Sequence, residues 1–294
     1  MKIDAVFSGG GVKAFALLGA LIKLEEKQYS YERVAGTSAG AIIAGLLASG
    51  YTSKEMERLF LDLDLEKFKD SSKYGKYFPF IKWFKLYFTM GLYKGDYLER
   101  WLDDLLVKKG VFTFADLPVG TLKVVTTDLT LGKVVVLPDD LKEFYDIDPA
   151  TFPVARAIRM SVGIPLFFRP LKLRNKQNTS SVLVDGALVS NFPIWVFNET
   201  NKKKKRPTIG LELTEAPAPP PSMKIINTLD LLGAVIDTLT KTYESAYTSN
   251  NNKEILSIPV NGVDATSFDL DHEKKVELIR NGYKQAEAFL KRWP

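Results

Sequence analysis

Residues 3–7 form a short apolar run that stops at Ser8-Gly9-Gly10-Gly11. From residue 12 onward, apolar positions recur at helical spacing (Phe15, Leu18, Leu21, Ile22, Leu24) until Glu25-Glu26-Lys27. That pattern predicts a strand, a glycine-rich turn and a helix over 12–27. A second short strand at 33–35 leads through Gly36-Thr37-Ser38-Ala39-Gly40 into a small-residue helix over 41–49. Farther along, apolar runs bounded by turn residues predict strands at 122–127, 133–137, 181–184, 208–213 and 255–260. Helices are predicted over 97–109, capped by Asp96, and over 223–247 and 272–293. Strands alternating with helices imply an α/β fold, a three-layer α/β/α sandwich around a mostly parallel sheet.

Three stretches break the pattern. Residues 67–94 crowd aromatics (among them Phe68, Tyr74, Phe78, Trp83, Tyr87 and Phe88) between seven lysines. Such a mixture suits a membrane–water boundary, and serves equally as a helical insertion whose rings face the core. The run Lys202 to Arg206 reads as a solvated loop, and residues 216–221 as a Pro-rich one. At 294 residues the chain fits one large α/β unit over 1–294. Its motif-bearing core spans 3–200, with a lid-like aromatic and basic insertion at 64–95 and a C-terminal strand–helix extension at 207–294.

Composition narrows the chemistry. Forty basic against 35 acidic residues give a formal net charge of +5, too mild to argue for nucleic acid and compatible with weak attraction to anionic lipid head groups. The absence of cysteine excludes disulfides, thiolate nucleophiles and cysteine-ligated metals. The single histidine, His272, leaves little from which to build a metal site, so neither metal nor cofactor is expected. The N-terminus lacks the apolar core of a secretory signal, and the longest apolar run, 39–48, is about half a bilayer span. A cytoplasmic or peripheral-membrane location is expected, with export by a non-classical route left open.

Gly36-Thr37-Ser38-Ala39-Gly40, between a predicted strand and helix, has the form of a nucleophile elbow. A serine there sits on a strained turn that pushes its hydroxyl out of the sheet, and Gly36 and Gly40 let strand and helix cross closely. Alone, the pentapeptide reads equally as a tight structural turn. Gly9, Gly10, Gly11 and Val12 follow the first strand and open the first helix, so their N–H groups can converge on an anion, whether a phosphate or an acyl-transfer oxyanion. The loop is not a Walker loop, because the four residues between glycine and Gly-Lys-Ser/Thr are missing, nor Gly-x-Gly-x-x-Gly, because Ala14 stands where the third glycine would be. Asp185, ending an apolar strand and followed by Gly186-Ala187, is a candidate base, although alone it reads as an ordinary solvated turn. His272 lies in Asp269-Leu270-Asp271-His272-Glu273, a charged helix start with Asp271 as cap. It reads as a solvated first-turn residue rather than a triad member.

Taken in order, Gly9-Gly10-Gly11-Val12-Lys13, Gly36-Thr37-Ser38-Ala39-Gly40 and Asp185-Gly186-Ala187 resemble the motifs of the patatin-like phospholipase family. Ser161-Val162-Gly163-Ile164-Pro165-Leu166-Phe167 and Asn191-Phe192-Pro193 resemble secondary stretches of that family, and the likeness covers about 3–200. Ser8 and Ala14, the latter where the family often has Gly, are minor departures. The resemblance implies a Ser38–Asp185 dyad without histidine. It also implies an oxyanion hole from the Gly9–Val12 loop and hydrolysis of fatty-acyl esters of phospholipids or other lipids, with peripheral membrane contact. A soluble carboxylesterase or thioesterase with the same dyad is an alternative, as is a non-catalytic membrane- or anion-binding protein.

Overall fold

The computed structural model describes residues 1–70, 86, 88–198, 206–214, 234, 238 and 254–293. Most of the aromatic–lysine stretch, the predicted helix 223–247, the loop 216–221 and Lys202 to Lys205 lie outside the described residues.

The first predicted elements form in order: β1 (Lys2–Phe7), α1 (Phe15–Glu26), β2 (Ser30–Thr37) and α2 (Ala39–Ala48). The helix expected from residue 12 begins instead as a 3-10 turn, Gly11–Ala14. Next come α3 (Ser53–Leu61), which the pattern did not predict, then β3 (Gly91–Tyr93) and α4 (Asp96–Lys108). Asp96 is the first residue of α4 rather than its cap: the flanking Gly95 has a left-handed φ of 76° and no side-chain cap. The carboxylate serving that end belongs to Asp70, which accepts the N–H groups of Gly95 (2.8 Å) and Tyr97 (3.0 Å).

The remaining strands are β4 (Leu122–Asp128), β5 (Lys133–Leu137), β6 (Leu166–Phe168), β7 (Leu171–Arg174), β8 (Ser180–Asp185), β9 (Thr208–Thr214) and β10 (Ile255–Pro259). Helices α5 (Leu141–Tyr145), α6 (Val154–Ser161) and α7 (His272–Leu290) follow in chain order among the described residues. The main sheet runs β10-β9-β1-β2-β4-β8-β7, with β5 also on β4. Its first five strands are parallel, while β5 and β8 run antiparallel to β4. The expected α/β fold with a mostly parallel sheet is therefore present.

Side chains alternate across this sheet. Ile3, Ala5, Phe7, Val124, Leu211 and Ile258 belong to the core shared with the helices. Val6, Ala35, Val125 and Val136 turn to the opposite face, covered among the described residues by Phe192, Ile194, Val196 and Phe197. Buried Asp4 pairs with Arg33 (2.6 Å) and with Arg206 (3.3 Å). The described end of the basic run thus holds an ion pair instead of standing in solvent. Helix α7 packs along α1 at backbone distance: a side chain at Gly19 would strike the carbonyl of Ile279, and one at Gly282 that of Ala16. Lys23 of α1 reaches across to Glu287 (2.8 Å) and the Tyr283 hydroxyl (3.1 Å).

Strand pairing brings distant sequence together at one point. Along residues 124–128 one edge of β4 is taken by β5. Its other edge carries β2 as far as the pair Thr37–Val125, and then β8 from the pair Asp185–Thr126. The end of β2 therefore abuts the end of β8, and the residues there are Ser38 and Asp185.

Candidate active site

Ser38 has φ 54° and ψ −128°, a conformation that costs a non-glycine residue free energy and holds its side chain clear of the strand. A side chain at Gly40 would lie 2.5 Å from the carbonyl oxygen of Ser8, and one at Gly36 would strike the backbone of Gly40. Gly36 is thus required by the crossing of β2 with α2, and Gly40 by the approach of α2 to the end of β1. The strained turn is fastened on two sides. Ser38 N–H donates to Ser161 Oγ (2.8 Å), which donates in turn to the Val125 carbonyl (2.6 Å). Thr37 Oγ1 donates to the carbonyl of Ser190 (2.9 Å), in the chain following β8.

Ser38 Oγ donates to Asp185 Oδ2 across 2.7 Å, with each residue only 3% exposed. The second carboxylate oxygen of Asp185 accepts the N–H of Ala187 (2.8 Å), and Asp185 N–H donates to the Gly163 carbonyl (2.9 Å). Among the described residues no cation faces this carboxylate. Burial pushes its pKa up to about 7, against the opposing pull of the Ser38 hydroxyl and the Ala187 N–H. A buried aspartate whose proton equilibrium sits near neutrality can accept a proton from a neighbour at ordinary pH.

The four residues of the glycine loop divide into two pairs. Gly9 N–H already donates to the Asn191 carbonyl (2.9 Å), and Val12 N–H to the Ala265 carbonyl (3.0 Å). Four convergent donors were expected, and two are spent in pinning the loop. Gly10 and Gly11 meet no N–H acceptor among the described residues. Gly9 presses on the elbow, for a side chain there would come within 3.1 Å of Ser38 Cβ.

Ser38 opens onto a pocket with roughly 640 Å³ of atom-free space, the open solvent at its mouth included. Its lining is almost wholly apolar, including Gly11, Phe15, Ile42, Phe60, Trp101 and Phe168. His272 is exposed at the start of α7, where Asp271 caps the helix as expected by accepting the Lys274 N–H (2.7 Å). Among the described residues no cluster of three or more His, Cys, Asp or Glu could hold a metal ion, and no helix is long and apolar enough to cross a membrane.

Sequence reasoning brought out the serine, the aspartate and the glycine loop. It missed Ser161 as the acceptor behind the elbow, Gly163 behind Asp185, and Ala265 behind the loop. Ser161 and Gly163 were visible within a family-like stretch, but nothing in their spacing announces a hydrogen bond. Ala265 carries no sequence signal, because its backbone carbonyl makes the contact.

The fold agrees with the comparisons. The Patatin-like phospholipase family model matches residues 5–198, and the chain belongs to that family of lipid acyl hydrolases. It is 47% identical over 294 residues to the uncharacterized protein YqhO of Bacillus subtilis (strain 168), covering 100% of this chain and 99% of that protein. It is 28% identical over 214 residues to the probable lipid hydrolase 463L of Invertebrate iridescent virus 6, covering 68% of this chain and 66% of the viral one. Among solved structures, VipD of Legionella pneumophila superposes with a TM-score of 0.58 at 18% identity, covering 98% of this chain and 66% of VipD, a likeness of fold.

Proposed function

We propose that the protein hydrolyses fatty-acyl esters of phospholipids or other lipids, with Ser38 as nucleophile and Asp185 as its base. The observation that carries this reading is the 2.7 Å Ser38–Asp185 hydrogen bond at the wall of an apolar pocket. Asp185 accepts the Ser38 proton as Oγ attacks the ester carbonyl. The N–H groups of Gly10 and Gly11 face the developing oxyanion, while Gly9 and Val12 hold the loop in place. Collapse expels the alcohol, protonated by Asp185, and leaves an acyl-enzyme whose chain lies in the pocket. Water then attacks the acyl carbon, losing its proton to Asp185, and the fatty acid departs as Ser38 recovers its own. A carboxylate is a weak base for an alcohol in water, so the scheme depends on the burial that brings Asp185 close to neutrality.

Labelling tests the nucleophile directly. A fluorophosphonate should add its mass to the 36–40 peptide of the wild type and not of Ser38→Ala, and an unmodified wild-type peptide rejects the enzyme reading. Phospholipid vesicles should be hydrolysed as well as p-nitrophenyl esters, and turnover of the small esters alone removes the lipid claim. His272→Ala should leave turnover within about twofold of wild type, because an exposed helix-start imidazole touches neither partner. A loss approaching that of Ser38→Ala would restore a histidine triad.

A further inference from the structure

The family match ends at residue 198, yet the Ser38 pocket does not: Phe268, between β10 and α7, is part of its lining. Resting on the acyl-hydrolase reading above, we propose that Phe268 sets the length of acyl chain this pocket accepts.

The ring is held from several directions. Its segment is a tight turn, with Ser267 N–H donating to Asp264 O (3.0 Å) and Phe268 N–H to Thr266 O (2.9 Å). Within that turn the Ala265 carbonyl receives the Val12 N–H (3.0 Å) and fills the space a side chain at Gly11 would need. The turn is therefore seated on the glycine loop, and three residues later Phe268 enters the pocket. There it stacks on Phe167 (5.1 Å between centroids, 15° between planes) and meets Phe68 edge-on (6.4 Å, 86°). Phe68 in turn meets Trp101 (5.6 Å) and Trp101 meets Phe60 (6.1 Å), while Phe167 on the other side meets Phe168 (4.9 Å), so Phe268 sits within a continuous aromatic wall. Beyond the turn, Lys275 of α7 donates to the carbonyls of Leu61 (3.2 Å) and Leu63 (2.6 Å), fixing the end of α3 and the residues just after it, which supply Phe60 and Leu63 to the pocket lining.

A ring braced on both sides cannot swing away from a chain that reaches it. It acts as a fixed stop, and its removal opens space for more methylenes. Hydrophobic pockets discriminate by roughly tenfold or more per misfitted methylene, so the length preference should move when the ring is changed.

The test compares wild type, Phe268→Ala and Phe268→Trp on p-nitrophenyl esters from butanoate to hexadecanoate. The long-to-short ratio of kcat/KM should rise about tenfold in Phe268→Ala and fall in Phe268→Trp. A residue with a purely structural role would lower every ester alike and leave the ratio unchanged. The same variants in a Ser38→Ala background are titrated with saturated fatty acids of matching lengths, which reads the pocket without turnover. Opposite shifts in affinity for the two variants support the inference even if the esters are not hydrolysed, a result that would sink only the catalytic reading. Unchanged length profiles in both measurements, or no fatty-acid binding by the Ser38→Ala protein, overturn it.

Discussion

The carboxyl group of Asp185 carries two consequences that can be measured. Its ionised form is the one able to take a proton from Ser38, so kcat/KM for a soluble ester should climb about tenfold per pH unit below about 7 and level off above it. A flat profile from pH 5 to 8 would remove Asp185 as the base. The same group links pH to stability. Folded Asp185 keeps its proton up to about pH 7, whereas an unfolded aspartate releases it near 3.8. Between those values the native state binds more protons, so stability falls as pH rises, and the loss is complete above the folded pKa. Asp185→Asn cannot ionise and should escape it. The variant is expected to be more stable than wild type at pH 8, by at most on the order of 4 kcal/mol, and to lose that advantage near pH 3, as urea unfolding at the two pH values would read. Sequence alone offered Asp185 as a candidate through its place at a strand end beside Gly-Ala. Its burial, and so its pKa, depends on which strand lies opposite, and no local pattern encodes that.

At the scale of elements, the turn from β2 into α2 is held by a serine from α6. Ser161→Ala would leave the Ser38 N–H buried without an acceptor, at a cost of about 1–3 kcal/mol. Turnover should fall with stability because the strained φ of Ser38 loses its fastening, whereas Ser161→Thr should recover much of both. Comparing urea midpoints with the kcat of the three proteins checks this. A Ser161→Ala protein as active and as stable as wild type would mean the contact is incidental. The elements themselves were largely legible: β1, α1, β2, α2 and α7 follow from apolar spacing and glycines within a few residues. What escaped depends on partners far away in sequence. Asp96 looks like a cap, but the capping carboxylate is Asp70, which a fold rather than a spacing brings to Gly95 and Tyr97. Likewise the glycine loop advertises four N–H donors, and only its packing against Asn191 and Ala265 reveals that two are committed.

Across the whole molecule, the glycine loop near the start of the chain is braced in part by a turn near residue 265. Strand β9 covers the edge of β1, and α7 lies along α1 with Lys23 tied to Glu287 and Tyr283. A fragment ending at residue 198 keeps Ser38, Asp185 and the glycine loop but loses that cover. It should elute as aggregate on gel filtration and fail to take a fluorophosphonate on Ser38, and a monomeric, labelled fragment would show that the later residues are dispensable. The contact between Val12 and Ala265 gives this arrangement a direction in time. Translation delivers the nucleophile early and the carbonyl that seats its loop late. A nascent chain still on the ribosome would therefore carry Ser38, Asp185 and the glycine loop before that loop has its late anchor, and would gain the anchor only when the 264–268 turn folds back onto it.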